Sequence, residues 1–202
     1  MNQLLLAGLG DLFASLPPGF SYRDDAISPS EERGLVAHFE TLPFKPFEFH
    51  GHLGKRRVVY YGHRYDYGRK ALEESAPLPD FLAGLRGKAA AFAGLAAEDL
   101  SQALVTEYAP GAGIGWHRDR PMFRDVIAFS FLAPCTLRLR RRLADGFERR
   151  SRLLAPQSVY LLRGDARWDW EHSIPEGDAL RYSVTFRNFV AGAAGTAPRA
   201  GR

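Results

Sequence analysis

The sequence predicts an α+β protein in which N-terminal helices pack on one sheet of a two-sheet, antiparallel barrel of jelly-roll type. Two helices are marked before residue 94 by apolar residues at helical spacing and by clear start and stop signals. After about residue 101 the hydrophobic period drops to two, and short alternating runs follow one another between turn residues. No internal repeat interrupts this order.

Taken in order, residues 1–20 read as an N-terminal arm ending at Pro17-Pro18-Gly19, and residues 21–190 as a single domain. The first helix begins at Ser28-Pro29-Ser30-Glu31. Ser28 can cap it, Pro29 suits its first position, and Glu31 completes a capping box. Leu35, Phe39 and Leu42 follow at helical spacing until Pro43 forces a stop. A Tyr/Arg-rich segment, KRRVVYYGHRYDYGRK at 55–70, precedes the second helix, which runs from about Asp80 to Ala93 with Phe81, Leu85 and Phe92 on one face. The strands then read ALVTEY, VIAFSFL, CTLRLRRRL, FERRSRLL, QSVYLL, RWDWEH and LRYSVTFRNF, six or seven in all, with a hairpin at Ala144-Asp145-Gly146. Residues 191–202, small, polar and Pro/Gly-bearing, read as a disordered tail.

Composition narrows the function classes. Of 202 residues, 46% are hydrophobic and 25% charged, which suits a globular domain with a real core. The single cysteine, Cys135, excludes an internal disulfide and suits a reducing, cytoplasmic setting. The apolar run of MNQLLLAGLGDLF lacks a preceding cation and is broken by Asp11, so neither a secretory signal nor a membrane span is expected. The net charge of +4 is unevenly placed. Residues 55–70 carry six cations against one anion, and residues 136–152 carry seven arginines against Asp145 and Glu148. Such clusters suit a polyanion; solvated strand faces are the alternative.

The stretch GIGWHRDRPMF at 113–123 raises the question of a metal. In extended chain, residues i and i+2 face the same way, so His117 and Asp119 point together and Arg118 away. Two ligands hold a metal loosely. His172, at the end of the strand read in WDWEHSIP, is the best third. Two imidazoles and one carboxylate on one face leave coordination positions open, a set that suits Fe(II) with O₂ and a cosubstrate. In RYSVTFR, alternation places Arg181, Ser183, Thr185 and Arg187 on one face and Tyr182, Val184 and Phe186 toward the core. The two arginines, about 20 Å apart along the strand, can clasp a small dicarboxylate, because the guanidinium fork matches a carboxylate.

Tyr108-Ala109-Pro110-Gly111, His117-x-Asp119, Trp170-x-His172 and Arg181-x-x-x-Thr185-x-Arg187 occur in that order over about residues 20–190. Together they resemble the AlkB-type Fe(II)/2-oxoglutarate dioxygenases. H-x-D is common by itself; the ordered set ending in R-x-x-x-T-x-R is specific. The resemblance implies a double-stranded β-helix core, with Fe(II) bound by His117, Asp119 and His172. Arg181 and Tyr108 would hold the distal carboxylate of 2-oxoglutarate, and Arg187 would lie near its iron-chelating end. It also implies oxidative decarboxylation of 2-oxoglutarate with O₂, coupled to hydroxylation of a substrate C–H bond. On an N-methyl group the product is a hemiaminal that loses formaldehyde.

Two departures touch the cosubstrate. Thr106 and Ser183 stand where the family often has asparagine, and both keep a hydroxyl able to hydrogen-bond. A third touches the substrate: repair members commonly carry a carboxylate two residues after the iron-binding aspartate, and here that position is Pro121, after Arg120. Substrate contacts are expected from Arg57, Tyr60, Tyr61 and Tyr65, where cations meet phosphates and a base stacks on a ring, and from Trp170, on the strand face of His172. The implied partner is nucleic acid, with a single-stranded or flipped base as target and the enzyme a monomer. A hairpin whose tyrosines pack on the barrel is the alternative for residues 55–70. Arg138, Arg140 and Arg142 alternate on one strand face and track a backbone or keep a sheet edge soluble.

The remaining polar residues read as structural. His50-Gly51-His52, near His63, lacks an acidic ligand at useful spacing; His38 sits near a helix surface; Cys135 is a buried thiol; Trp116 and Trp168 are core aromatics. A hydroxylase or demethylase of a protein side chain or small molecule, and a binding module without turnover, share the same ligand set.

Overall fold

The helix expected at Ser28 forms as its capping box dictates. The computed structural model describes residues 15–49, 52–66, 68 and 71–192. Helix α1 spans Pro29–Phe39; the Glu31 N–H donates to Ser28 Oγ at 3.2 Å, and the Ser28 N–H donates to Glu31 Oε2 at 2.8 Å. It ends ahead of Pro43, in turns closed by Thr41 N–H to His38 O and Leu42 N–H to Phe39 O. The second expected helix is entered through a 3-10 turn at Asp80–Leu82 and continues as α2, Ala83–Ala93. It stops at Gly94, whose φ of 65° lies in the left-handed region that glycine adopts without strain.

Eight strands follow residue 101, one more than the upper expectation: β6 (Gln102–Tyr108), β7 (Ile114–His117), β8 (Phe123–Phe131), β9 (Cys135–Leu143), β10 (Gly146–Leu154), β11 (Val159–Leu162), β12 (Glu171–Ile174) and β13 (Arg181–Phe189). Five precede it: β1 (Phe20–Arg23), β2 (Lys45–Phe49), β3 (His52–Tyr61), β4 (His63–Asp66) and β5 (Ala71–Glu74). A seven-stranded major sheet runs β1-β11-β8-β13-β6-β3-β2, and a four-stranded minor sheet runs β10-β9-β12-β7. Every pairing in both sheets is antiparallel, and β4 and β5 form a separate hairpin. This is the expected jelly-roll, with both main helices on the outer face of the major sheet.

Two cores result. The helix-side core joins Phe39 of α1 and Leu85 and Ala89 of α2 to Val105, Phe129, Phe131, Tyr182, Val184 and Phe186. The inter-sheet core holds Val126, Ala128, Leu137, Leu139, Leu154, Leu162 and Ile174. Because β13 is covered on both faces, residues Arg181–Phe186 are all buried. Its alternation therefore separates an apolar core face from a polar face turned into the barrel.

Two expectations need correction. RWDWEH is not one strand: Gly164–Trp168 forms a short helix, α3, and β12 begins only at Glu171. Gly164 turns the chain at φ 53°, and the Asp169 N–H then reaches Asp165 O, a helical bond that ends the extended run. The arm expected over 1–20 is docked in its described part. Phe20 opens the edge strand β1, the Arg163 N–H donates to Gly19 O, the Ala166 N–H donates to Pro18 O, and Leu16 packs on the inter-sheet core. Residues 1–14 and 193–202, with the expected tail, lie outside the described residues.

Candidate active site

Strands β7 and β12 pair so that His117 and His172 stand directly opposite one another, with ring centroids 4.2 Å apart. Gly113 makes this approach possible: a Cβ there would lie 2.8 Å from Ile174 O and 2.9 Å from Glu176 N, both backbone atoms of the partner segment. The strand ends at His117, and Asp119 sits on the loop that follows. That loop is clamped by α3. Arg167 donates to Arg120 O at 2.6 Å and Phe123 O at 2.8 Å, and Arg118 turns away to Trp168 O at 2.9 Å. Asp119 thus joins the histidines with Arg118 directed elsewhere, as the spacing implied.

The protonation states leave ligating atoms of His117 and Asp119 free, with the neutral His172 ring beside them. His117 Nδ1 lies 2.8 Å from Gly115 O, which can only accept, so Nδ1 carries the proton and Nε2 is free to ligate. Burial lowers both imidazoles, His172 to about 3, so the rings are neutral at ordinary pH. His172 Nε2 and Asp119 Oδ2, 3.5 Å apart, are therefore not an ion pair. Burial is the largest single influence and would raise the Asp119 carboxyl, but the surrounding groups, Arg187 first and then His172, His117 and Arg167, together outweigh it and hold the group below the usual carboxylate range. Arg187 donates through Nε and Nη2 to Asp119 Oδ1, at 2.8 and 2.6 Å, and through Nη1 to Gln102 Oε1 at 2.9 Å. Asp119 Oδ2 is buried with no hydrogen-bond partner. Candidate ligand atoms of the three side chains lie within 4.8 Å of one another. An orphaned carboxylate oxygen facing two neutral imidazoles fits a divalent cation.

The polar face of β13 continues the site. Its register sets Arg181 beside Tyr108, Ser183 beside Thr106 and Ser130, Thr185 beside Leu104 and Ala128, and Arg187 beside Gln102. Arg181 is 4% exposed, lies over the Tyr108 ring at 4.8 Å and donates through Nη2 to Ser130 Oγ at 2.8 Å. Its Nε and Nη1 are buried and unpartnered. A buried guanidinium in that state fits a carboxylate brought by a ligand. One cavity is bordered by His117, Asp119 and His172 and also by Arg181, Ser183, Thr106 and Tyr108.

The expected substrate residues divide by strand parity. Tyr60 and Tyr65 line the cavity. Arg57 and Tyr61 do not. Arg57 lies on the helix side, paired with Glu107 at 2.6 Å, and Tyr61 is buried in the helix-side core with its ring 6.5 Å from that of Phe81. Trp170 precedes β12 and is buried between the sheets under Arg141, so it does not border the site. Arg56, Phe47, Gln102, Arg120 and Tyr160 line the cavity and were missed. Arg56 stacks on Phe47 at 3.8 Å and Arg120 on Tyr65 at 4.4 Å. Arg56 was visible one residue from Arg57; the others are brought in by pairing that no local pattern announces. Trp116 carries arginines at its face and is half-buried, and Trp168 is exposed, so neither is core. His38 is exposed and stacks on Phe81 at 4.7 Å, and burial raises the Cys135 thiol. His63 packs edge-on against Phe189, while the side chains at 50 and 52 lie outside the described residues.

Comparison with known proteins agrees with this geometry. Residues 23–187 match the model of the 2OG-Fe(II) oxygenase superfamily. The chain is 28% identical over 182 residues to an Arabidopsis thaliana alkylated DNA repair protein ALKBH8 homolog, covering 78% of this chain and 51% of that protein. It is 28% identical over 177 residues to the Xenopus tropicalis tRNA (carboxymethyluridine(34)-5-O)-methyltransferase alkbh8, covering 81% of this chain and 26% of that protein. An uncharacterized protein, L905, of Acanthamoeba polyphaga mimivirus is 26% identical, with 85% of each chain covered. The chain thus spans about half the length of the first relative and about a quarter of the second. The structure of OsALKBH1 superposes with a TM-score of 0.67 over 87% of this chain and 99% of that one, at 14% identity, a likeness of fold. With its matched length and its motifs in order, the chain belongs to the 2OG-Fe(II) oxygenase superfamily, as an AlkB-like dioxygenase dependent on Fe(II), 2-oxoglutarate and O₂.

Proposed function

We propose that this dioxygenase oxidatively demethylates alkylated nucleic acid, hydroxylating an N-methyl group on a DNA or RNA base with release of formaldehyde. The observation that carries the reading is the lining of the cavity, where Arg56, Tyr60, Tyr65 and Arg120 set cations and rings in the same cavity as His117, Asp119 and His172. Cations beside rings suit a phosphate-linked base taken out of its stack. The names of the two ALKBH8 relatives, a DNA repair protein homolog and a tRNA methyltransferase, support a nucleic acid substrate.

His117 Nε2, Asp119 Oδ2 and His172 are the iron ligands in this reading. Arg181 receives the distal carboxylate of 2-oxoglutarate, with Tyr108, Thr106 and Ser183 beside it. Arg187 fixes the Asp119 carboxylate so that one oxygen stays turned to the metal. Bound Fe(II) and 2-oxoglutarate supply O₂ activation, with succinate and CO₂ as coproducts and one oxygen atom delivered to the substrate carbon. The protein's residues orient these groups and exclude water: the inner face of β13 is buried along Arg181–Phe186, and the inter-sheet core closes the barrel beneath it. An N-methyl carbon becomes N–CH₂OH, which breaks its C–N bond to give N–H and formaldehyde.

The test is a formaldehyde and succinate screen over methylated single-stranded DNA, methylated RNA and methylated peptides. Equimolar formaldehyde and succinate on an oligonucleotide is the expected result. Turnover confined to peptides or small molecules overturns the nucleic acid assignment. Pro121, where repair members carry a carboxylate, favours that second reading.

A further inference from the structure

The outer face of the minor sheet has no part in the cavity chemistry, yet its side chains are ordered. Arg138, Arg140 and Arg142 alternate outward on β9, while Leu137 and Leu139 on the opposite face are fully buried. The register places Phe147 beside Arg142 and Arg149 beside Arg140 on β10. Aromatic rings stand against the guanidiniums. Arg138 and Arg140 lie 5.2 and 4.4 Å from the Trp116 ring, and Arg140, Arg142 and Arg149 lie 4.4, 5.2 and 5.6 Å from the Phe147 ring. Arg140 is neutralised by Glu171 at 2.6 Å, and Arg138 donates to Ser173 Oγ. Among the described residues, Arg138, Arg142 and Arg149 are exposed and have no carboxylate partner. A concavity on this face is lined by Arg140, Arg141, Arg142 and Phe147, by the carboxylates Glu171 and Asp169, and by Arg118, which borders the active-site cavity as well.

We infer that this face carries the backbone of a single-stranded nucleic acid on one side of the base being modified. The inference rests on the nucleic acid reading above and locates where the flanking strand lies. Three observations favour phosphates as the occupant. Among the described residues, three exposed arginines without a carboxylate partner stand against one unpaired carboxylate of the concavity's lining, Asp169. The exposed Arg138 and Arg142, four residues apart on one strand, stand about 13.6 Å apart, comparable to two phosphate steps of an extended strand. The surface is continuous with the cavity through Arg118, so a chain whose base enters the cavity passes directly onto it. Guanidiniums pre-set by aromatic faces lose little freedom on meeting phosphate.

The test uses an unmodified, fluorescent, single-stranded 20-nucleotide probe and the variant Arg138→Gln/Arg142→Gln/Arg149→Gln. Its affinity is measured across a salt series for this variant and for wild type. Losing three phosphate contacts on a single strand lowers the slope of log K against log [salt] by about 2, at about 0.7 per contact. The variant is expected to show that loss, with affinity for the probe at least tenfold weaker at low salt. It should keep the wild-type melting temperature and the wild-type consumption of 2-oxoglutarate without substrate. Arg142→Gln/Arg149→Gln, with two exposed cations removed, should lose about 1.4 in slope and guards against a fold defect in the triple variant. Equal slopes in wild type and both variants overturn the inference while leaving the demethylase reading standing. A wild type that releases formaldehyde from no oligonucleotide but keeps the slope difference overturns the demethylase reading alone. A wild type that does not bind the probe overturns both. Poly-glutamate of equal charge competing as well as the probe points to an acidic protein partner, and overturns the assignment.

Discussion

Arg181 is a full charge that the described residues leave without a carboxylate partner. Only Nη2 is bonded, to Ser130, while Nε and Nη1 are buried and empty-handed. Such a group destabilises the chain until an anion arrives. Arg181→Met should therefore leave the ligand-free melting temperature equal to or above wild type, while the KM for 2-oxoglutarate rises about 100-fold. That factor follows from two lost charge-assisted hydrogen bonds at about 1.5 kcal/mol each. Fe(II) affinity should change far less. His117→Ala should do the reverse, removing the visible charge-transfer absorption of the anaerobic Fe(II)–2-oxoglutarate complex and keeping the fold. The same band in H117A would count against the ligand assignment. Both residues were legible in the sequence because strand parity and the H-x-D spacing are local. Gln102 and Tyr160, which line the cavity, and Ser130, which accepts from Arg181, were not, because each comes from a different strand whose neighbours only the tertiary fold decides.

Elements divide the Tyr/Arg segment more sharply than composition did. On β3, even-numbered positions face the cavity and odd-numbered ones face the helices, since Val58 pairs with Thr106 and Tyr60 with Leu104. Tyr61→Ala should cost about 3–5 kcal/mol of stability by opening a hole under α2. Tyr60→Ala should cost much less and raise the KM for the oligonucleotide; chemical denaturation and steady-state kinetics separate the two. The parity error over Arg57 and Tyr61 arose because KRRVVYY presents polar or aromatic residues on both faces, so the pattern could not say which was inside. RWDWEH misled for a related reason, since a single helical turn after Gly164 leaves no periodicity to read. At the start of α1, the hydrogen bond from the Ser28 backbone, then contact with Lys88, holds the Glu31 carboxyl down at about 2. A depressed carboxylate contributes stability that is present above its unfolded value and fades as pH falls from about 4.5 toward 2. The carboxyl is half exposed, so the effect is small. Glu31→Gln should flatten the acid limb of a melting-temperature profile over that window.

At the scale of the whole molecule, the barrel is a scaffold completed by its ligands. Binding only to the folded state stabilises it by about 2.7 kcal/mol at 100 times Kd. For a domain of this size that corresponds to a rise of roughly 5–10 °C in Tm. Mn(II), a redox-silent stand-in, should produce such a rise with 2-oxoglutarate in the wild type and not in His172→Ala. The jelly-roll class was readable because the change from helical to alternating period is a property of long segments. The five strands before residue 101 were not, as the edge strands β1 and β2 are short and borrow their order from β11 and β3.

Strand β13 carries the arginine that steadies Asp119 at one end and the arginine that awaits a carboxylate at the other. A single stiff rod thus reports on both occupants. Whatever factor the keto acid adds to the grip on iron, iron must return to the keto acid. Loosening Arg187 should shrink that shared factor measured from either direction, so two titrations run in opposite order form a closed thermodynamic square around one strand.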